Sequence, residues 1–547
     1  MKKIYYQVVE NVLPQVYLLY NSFNNKFILL NNVRYEKYKK ENILKLEQSD
    51  PVLYKSLVDN QYIVPDDFDE REIVLFRKKR MQFDASMYQV MVNTTLDCNL
   101  NCWYCYENRI AGSFLKSEVI EAIKKNIEQE YIKTSYRILK LSFFGGEPFL
   151  YFRGIKEILD FARNFCQVNQ LDLIAEFTTN AILITESIID YLKNFECQFQ
   201  ITLDGDRIHH NQIKKDKDNP NQDTYEKTLR TIRLINDKIP NRWLAVRINF
   251  DNKTLEKIDE IIGDLDFLDR KYCFVILKKV WQLEKDKVNV PLLHASVQKF
   301  LDKKFLLDYY IMPKGDVCFA ERHREVLFNY DGKVFKCSTI SSFDDKNALG
   351  EFDLQSGQVH WNETKLSYWL KEMLPQNCID CKLLPACLGP CNKQIMLHPG
   401  ENICTFDAIN MTLKEYLMYL FKCQLLKEEL YYEKLENGLE VYFMPKRGFT
   451  KKYAQSYTFS GIITNEKRKM MDGVQVILSV EDSLSAMALT DEKGHFRIDG
   501  LKEGAYELRL FFLGYNAQEQ ILRVENRDVR KDFLLTPEKT VVLDEVM

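Results

Sequence analysis

No run of the sequence approaches the ~20 apolar residues that a helix needs to cross a bilayer, so no membrane span is expected. The opening Met1-Lys2-Lys3-Ile4 has the basic start of an export signal, but Gln7, Glu10 and Asn11 interrupt the apolar stretch that should follow. No signal peptide is read, and the expected compartment is the cytoplasm. Charge of one sign is missing too. The chain has 76 basic and 79 acidic side chains and a formal charge of -3, which gives no general attraction to nucleic acid or anionic membrane. Internal repeats and low-complexity tracts are absent. Histidine is scarce, with 7 in 547 residues, whereas there are 14 cysteines. A chain of this length does not need disulfides, and a reducing cytosol would not keep them, so clustered cysteines point to metal or redox chemistry.

The 46% hydrophobic and 28% charged residues describe a folded protein of roughly three or four domains. Residues 1–85 contain the strand-like runs Val16-Tyr17-Leu18-Leu19-Tyr20 and Phe27-Ile28-Leu29-Leu30 around Asn24-Asn25, which pair as a hairpin. A helical pattern follows at Val52 to Leu57, then the apolar stop Tyr62-Ile63-Val64-Pro65. Together they suit a small winged-helix-like region.

Over 86–310, buried strands alternate with amphipathic helices. The candidate strands are 89–96, 138–144, 173–179, 198–203, 243–250 and 273–280, and the segments 116–133 and 223–236 read as helices. Six such units imply an α/β fold with a parallel sheet, either open or curled into a partial (β/α)6 barrel. Chemistry in such sheets sits at the C-terminal strand ends. Residues 311–405 are cysteine-rich and a helix through Leu413, Leu417, Leu420 and Leu426 follows, so an iron-sulfur domain is expected over 311–425. A linker over 426–455 contains an Asn437-Gly438 turn and the basic Lys446-Arg447-Gly448. Over 456–540, Val474 to Leu478, His495 to Ile498 and Tyr506 to Leu510 alternate with turn signals at Asp472-Gly473, Lys493-Gly494 and Glu503-Gly504, as in an antiparallel β-sandwich.

Cys98, Cys102 and Cys105 fall in the loop after the first strand of the α/β region. Three thiolates from one loop can hold three irons of a cubane and leave the fourth open to substrate or cofactor. A zinc site and buried free thiols are the alternatives. At the end of the second strand, Gly145 and Gly146 permit close backbone approach, and Glu147 offers an acceptor suited to an ammonium group. An ordinary strand-to-helix turn has the same pattern.

The run Cys98-Asn99-Leu100-Asn101-Cys102-Trp103-Tyr104-Cys105-Tyr106, followed by Gly145-Gly146-Glu147-Pro148, resembles the radical S-adenosylmethionine (SAM) superfamily over roughly residues 88–285. The resemblance implies a 4Fe-4S cluster on Cys98, Cys102 and Cys105, whose open iron chelates the amino and carboxylate groups of SAM. Cleavage of the sulfonium then yields a 5′-deoxyadenosyl radical that abstracts a substrate hydrogen. It also implies that Gly145, Gly146, Glu147 and Pro148 meet the methionine end, and that Thr179, Asn180, Asp204 and Arg247 line the cofactor pocket. Two positions depart from the pattern. Ala181 stands where glycine is usual, and Lys214 stands near a frequent arginine.

Downstream, Cys318, Cys337 in Gly332-x4-Cys337, Cys378, Cys381, Cys387, Cys391 and Cys404 read as structural zinc or iron-sulfur ligands. Their order resembles the SPASM extension, which implies two auxiliary iron-sulfur clusters. Cys378, Cys381, Cys387 and Cys404 would hold one. Cys318, Cys337 and Cys391 would supply three ligands of the other, with its fourth ligand absent, remote or a group such as Asp316, because residues Met312 to Val317 contain no cysteine. Cys166, Cys197, Cys273 and Cys423 read as buried thiols.

This combination resembles maturases of ribosomally made peptides, which implies a precursor peptide or protein substrate and a reductant such as flavodoxin or ferredoxin. Anaerobic sulfatase maturases, which form formylglycine, share the plan but carry an aspartate after the cysteine of Gly-x4-Cys, where this chain has Ser338. The resemblance further implies that residues 1–85 bind a leader peptide at a sheet edge, although the same span also reads as a packing domain. Thr490-Asp491-Glu492-Lys493-Gly494 and Leu513-Gly514-Tyr515 resemble carboxypeptidase regulatory-like modules, for which docking or scaffolding fits better than catalysis. A noncatalytic iron-sulfur peptide-binding protein is the alternative of another class.

Overall fold

The computed structural model describes residues 1–537 apart from 108, 281, 283–286, 309–314, 341, 372, 433–456, 472, 481–482, 492, 513–514 and 526. Asn437-Gly438, Lys446-Arg447-Gly448, Met312, Asp472, Glu492 and Leu513-Gly514 therefore lie outside the described residues. The chain divides into two compact units, Met1–Cys423 and Gln424–Met547.

In the first unit, the expected hairpin forms between Val16–Asn21 and Lys26–Asn31, and a third antiparallel strand, Gln7–Leu13, extends it. Sequence reading passes over that strand because Gln7, Glu10 and Asn11 break its apolar run. Among the described residues this strand is paired on one side only, and Asn11 and Leu13 are exposed. Helices Asn32–Lys40, Ile43–Ser49 and Pro51–Asp59 follow, each capped by an Asn or Asp side chain that accepts a first-turn N–H. Ile63–Val64 then pairs with Lys2–Lys3.

The central sheet has eleven strands, eight of them parallel, and seven of these follow one another in the order Leu306–Asp308, Cys273–Lys279, Arg242–Phe250, Glu196–Thr202, Asp172–Thr179, Ile138–Gly145 and Met87–Thr95. The six expected strands are all present with ends shifted by two residues or fewer, and helices Ser117–Thr134 and Thr224–Lys238 lie where the 3.6-residue period places them. Glu325–Phe328 pairs parallel to Met87–Thr95, and three short antiparallel strands from the cysteine-rich region continue from it. The sheet is open. Among the described residues, its end strands Leu306–Asp308 and Val359–Trp361 have one neighbour each.

Registers divide the sheet by face. Val90, Leu141, Ala175, Phe199 and Val246 are fully buried on one side. The other side aligns Met91, Ser142, Glu176 and Gln198, then Thr202 with Arg247 two levels up. Lys140 pairs with Glu176 at 2.8 Å on this polar side, and Ser142 Oγ donates to Glu176 at 2.5 Å. Two-residue alternation thus gives one apolar face for helix packing and one polar face for a ligand.

In the second unit, one sheet is the antiparallel set Ser483–Leu489, Gln475–Val480, Gly504–Phe511 and Gln518–Val524. The other centres on Tyr457–Asn465, which pairs antiparallel with His495–Leu501 but parallel with Val529–Arg530 and Phe533–Leu535. Phe459, Val476, Phe496, Leu508 and Leu535 share its core. Among the described residues, no helix is long and apolar enough to cross a membrane.

Candidate active site

The first cysteine loop leaves the end of Met87–Thr95, a strand buried at all nine positions. The end of Ile138–Gly145 clamps it there. Gly146 N–H donates to Thr95 O at 2.9 Å, and Glu147 N–H donates to Asp97 O at 2.9 Å. A Cβ on Gly145 would stand 2.0 Å from Thr95 O, and one on Gly146 would stand 2.1 Å from Asp97 O. The two glycines are therefore demanded by backbone pressed on backbone, and Gly145 also has φ +115.

Glu147 is 1% exposed. Its carboxylate accepts from Thr179 Oγ1 at 2.6 Å, Asn180 N at 2.8 Å and Phe149 N at 3.1 Å, which ties the second strand end to the third. Burial outweighs those bonds and raises the carboxyl above its ordinary value. Pro148 opens the one-turn helix Pro148–Tyr151. Asn180 Nδ2 donates to Asn99 Oδ1 at 2.8 Å and lies 3.8 Å from Cys98 Sγ. Ala181 takes φ +66, the conformation that favours glycine.

A second network converges on Asp204, which has no solvent exposure. Lys214 Nζ stands 3.4 Å away, Asn249 donates through Nδ2 at 3.0 Å and N at 3.3 Å, and Tyr104 OH donates as well. Burial works to raise the Asp204 carboxyl, but Lys214 and these hydrogen bonds hold it below the usual range. The Asp204 N–H donates to His210 Nδ1 at 3.1 Å, and burial pushes that imidazole down to about 3, so it stays a neutral acceptor. Arg247 Nε donates to Asn249 Oδ1 at 3.0 Å. Arg247 thus reaches the cysteine loop through Asn249 and Tyr104. Arg109 braces the loop from outside, with Nη1 2.9 Å from Asn101 Oδ1 and Nη2 3.1 Å from Cys102 O.

Sequence reading singles out Cys98, Cys102 and Cys105, the Gly145-to-Pro148 turn, Thr179, Asn180, Asp204 and Arg247. The structure gathers all of them at one end of the sheet. Tyr104, Arg109, His210 and Asn249 carry no local signal that would have marked them. Tyr104 lies inside the quoted cysteine run, but its partner Asp204 is 100 positions away.

The thiols suit a cluster in charge and place. Cys102 lies close enough to Cys98 to disfavour its ionisation, and Cys105 does the same to Cys102. Burial pushes Cys98 up to about 12 and raises Cys102, while Lys214 and Arg109 act the other way on Cys102. Loading iron therefore requires proton release, and the two cations lower its cost. Among the described residues, no three His, Cys, Asp or Glu side chains converge as on a single metal ion. A cubane gives each thiolate its own iron, so its ligands stand further apart.

Downstream, Cys378 lies within electrostatic reach of Cys387, Cys381 and Cys404, and Cys318 within reach of Cys337 and Cys391. Asp316 ion-pairs with Arg322. Cys166, Cys197, Cys273 and Cys423 are buried.

Residues 92–265 match the model of the radical SAM superfamily, and residues 458–544 match that of the carboxypeptidase regulatory-like domain. The chain is 23% identical over 412 residues to the radical SAM cyclopropyl synthase TigE of Paramaledivibacter caminithermalis, covering 65% of this chain and 82% of that protein. It is 24% identical over 329 residues to a cysteine-type anaerobic sulfatase-maturating enzyme of Clostridium perfringens, covering 54% and 86%. A solved structure of anSMEcpe with bound AdoMet and Cp18Cys peptide aligns with TM-score 0.47 at 18% identity, over 64% of this chain and all of that one. The three-thiol loop, clamped by the Gly145-Gly146 turn, belongs to a radical SAM domain, and the chain carries that domain together with a carboxypeptidase regulatory-like domain.

Proposed function

We propose that the chain is a SPASM-type radical SAM maturase that abstracts hydrogen from a residue of a ribosomally made peptide, forming a thioether, a carbon-carbon crosslink or another oxidation. One observation carries the reading beyond the radical SAM domain. Of the seven downstream cysteines, Cys381, Cys387 and Cys404 stand near enough to Cys378 to disfavour its ionisation, and Cys337 and Cys391 do the same to Cys318. Two such groups suit two auxiliary iron-sulfur clusters, fed or drained by a flavodoxin- or ferredoxin-like partner. The polar face of the sheet, with Ser142, Glu176 and Arg247, suits a hydrogen-bonding peptide.

When bound, the 4Fe-4S cluster and SAM supply a 5′-deoxyadenosyl radical. The chain's own residues hold and orient. Cys98, Cys102 and Cys105 act as thiolates, and Lys214 and Arg109 offset their charge. Gly145 to Glu147 fix the loop against the second strand end. Thr179, Asn180, Asp204 and Arg247 set the wall of the cofactor pocket. The sulfatase-type reading fits less well, because buried Ser338 follows Cys337 where a carboxylate would serve as base.

Anaerobic reconstitution with SAM and dithionite should release 5′-deoxyadenosine, and coexpression with a neighbouring precursor peptide should change that peptide's mass. A full cluster complement without 5′-deoxyadenosine would sink the enzyme reading and leave the noncatalytic binding protein. Formylglycine in a sulfatase peptide would move the substrate to the sulfatase class.

A further inference from the structure

Three stretches of the chain repeat one local shape, and in one of them a carboxylate stands where the other two have a thiol. Cys102-Trp103-Tyr104-Cys105 closes with the Cys105 N–H on Cys102 O at 3.3 Å, and Cys378-Ile379-Asp380-Cys381 closes with the Cys381 N–H on Cys378 O at 3.1 Å. Cys318-Phe319-Ala320-Glu321 closes in the same way, with the Glu321 N–H on Cys318 O at 2.9 Å. Such a closure keeps the first and fourth Cα within about 7 Å, so side chains three positions apart can serve one cluster. The sulfurs are approached alike as well. Leu100 N lies 3.4 Å from Cys98 Sγ and Leu383 N lies 3.4 Å from Cys381 Sγ, and the Ala320 N–H, also two residues on, turns to Cys318.

Glu321 is 5% exposed, and it sits within the group formed by Cys318, Cys337 and Cys391. Its Oε1 accepts from the N–H of Asn392, the residue after Cys391, at 3.1 Å. Ala320, beside it on the same turn, shares a buried cluster with Cys337. After desolvation and the Ala320 N–H, the Glu321 carboxylate is the strongest influence on the Cys318 thiol, ahead of Cys337 and Cys391 themselves. A buried carboxylate among thiolates is repelled by all of them unless a cation stands between. Iron is such a cation. The other acidic neighbour is engaged elsewhere. Asp316 ion-pairs with Arg322 and accepts from Val317 N at 2.7 Å, so a cation already balances its charge.

We propose that Glu321 is the fourth protein ligand of the auxiliary cluster held by Cys318, Cys337 and Cys391, and that it binds the remaining iron through a carboxylate oxygen. The proposal rests on the auxiliary-cluster part of the reading above and supplies the ligand that the cysteine pattern leaves open. It has a functional consequence. A cluster with four protein ligands offers no iron to a peptide thiolate, so this cluster passes electrons and does not hold the substrate.

The test uses the full chain reconstituted anaerobically with iron and sulfide, with SAM present throughout to cover the open iron of the first cluster. Native protein is compared with Glu321→Gln, Glu321→Asp, Glu321→Cys and Cys318→Ala/Cys337→Ala/Cys391→Ala. Glutamine keeps an oxygen for the Asn392 N–H but is a neutral and poor iron ligand, so it separates ligation from hydrogen bonding. Aspartate and cysteine each keep an anionic ligand. Brief oxidation with ferricyanide strips an iron that lacks a firm ligand and leaves a three-iron cluster with its own electron paramagnetic resonance signal. Native protein should show little of that signal, and Glu321→Asp or Glu321→Cys should stay close to it. Glu321→Gln should give about one three-iron cluster per chain and yield iron to a ferrous chelator at least ~tenfold faster. A Glu321→Gln protein that behaves as the native one overturns the assignment. So does an equal three-iron signal in the native protein, or a loss of iron that neither Glu321→Asp nor Glu321→Cys restores. In each of those cases, less iron in Cys318→Ala/Cys337→Ala/Cys391→Ala with the first cluster still loaded upholds the auxiliary-cluster reading. Equal iron in that variant and the native protein overturns both.

Discussion

Replacing Lys214 by methionine tests the electrostatic design of the site. Asp204 and Lys214 are both buried, with 3.4 Å between Nζ and Oδ2. At an effective dielectric constant of about 20 their attraction is about 5 kcal/mol. The variant cannot lose all of it, because Asp204 keeps Tyr104 and Asn249 as donors and can also take up a proton. Protonating a carboxyl with an ordinary value near 3.9 costs about 4 kcal/mol at pH 7, from 1.36 kcal/mol per unit. That cost caps the loss. Lys214→Met should therefore destabilise Met1–Cys423 by ~3–4 kcal/mol at pH 7. The sign follows from linkage. In the native protein Asp204 is held below its unfolded value, so its stabilisation is present above that value and is lost as pH falls. In the variant the buried carboxyl prefers its proton, and the deficit against the native protein should shrink by about 1.4 kcal/mol for each unit below pH 7. Urea midpoints measured anaerobically across this range read the effect. Lys214→Arg, which keeps the charge, should recover most of it, and Asp204→Asn/Lys214→Met should lose less than Lys214→Met alone. A Lys214→Met protein as stable as the native one at every pH would refute the assignment of Lys214 as the counterion of Asp204.

Gly146→Ala forces a Cβ to within 2.1 Å of Asp97 O and 2.6 Å of Asp97 C, both backbone atoms, so the cysteine loop must move. We expect a loss of about 1–3 kcal/mol and less iron per chain, and full iron with an unchanged midpoint would contradict the clamp. His209 lies 3.2 Å from Asp251, which raises the imidazole above its ordinary value. Its contribution of ~0.5–1 kcal/mol is complete below the unfolded value of about 6.5 and disappears as pH rises through the folded one. The difference in midpoint between native protein and His209→Gln should accordingly vanish toward about pH 9, and a difference independent of pH would rule the pair out. Ala181→Gly relieves about 1–2 kcal/mol of left-handed strain, but gives up a buried methyl worth ~0.8 kcal/mol and ~0.4–1 kcal/mol of chain entropy. These terms nearly cancel, so its urea midpoint should stay close to that of the native protein.

What the sequence discloses depends on whether the signal is local. The six sheet strands were legible because each buries one complete apolar face, as Leu139, Leu141 and Phe143 do in Ile138–Gly145. The cysteine triplet was legible because its members lie within eight positions. Gln7–Leu13 was not, because a strand paired on one side tolerates Gln7, Glu10 and Asn11 at positions that periodicity reads as breaks. The parallel pairing of Tyr457–Asn465 with Val529–Arg530 and Phe533–Leu535 was equally hidden, since turn signals mark where strands end and not which strand they meet.

The same distinction explains why the glycines and the polar network differ so much in visibility. Gly145 and Gly146 stand out as a dipeptide, yet the reason for them is Thr95 and Asp97, about fifty positions earlier. Asp204 was noticed through its short run Thr202-Leu203-Asp204-Gly205. Its partners Tyr104 and Asn249 lie 100 and 45 positions away, on opposite sides of it in the chain. Each of the three would cost free energy if buried alone, so none is intelligible without the others. Lys214, which looks like a conservative departure from arginine, supplies the charge that makes this burial tolerable. Its single ammonium also reaches Thr202. A guanidinium fork would have to divide its donors differently between that hydroxyl and the carboxylate. Lysine at this position and the Tyr104–Asn249 pair therefore form one solution to the same burial, and substitution of either should be read against the other.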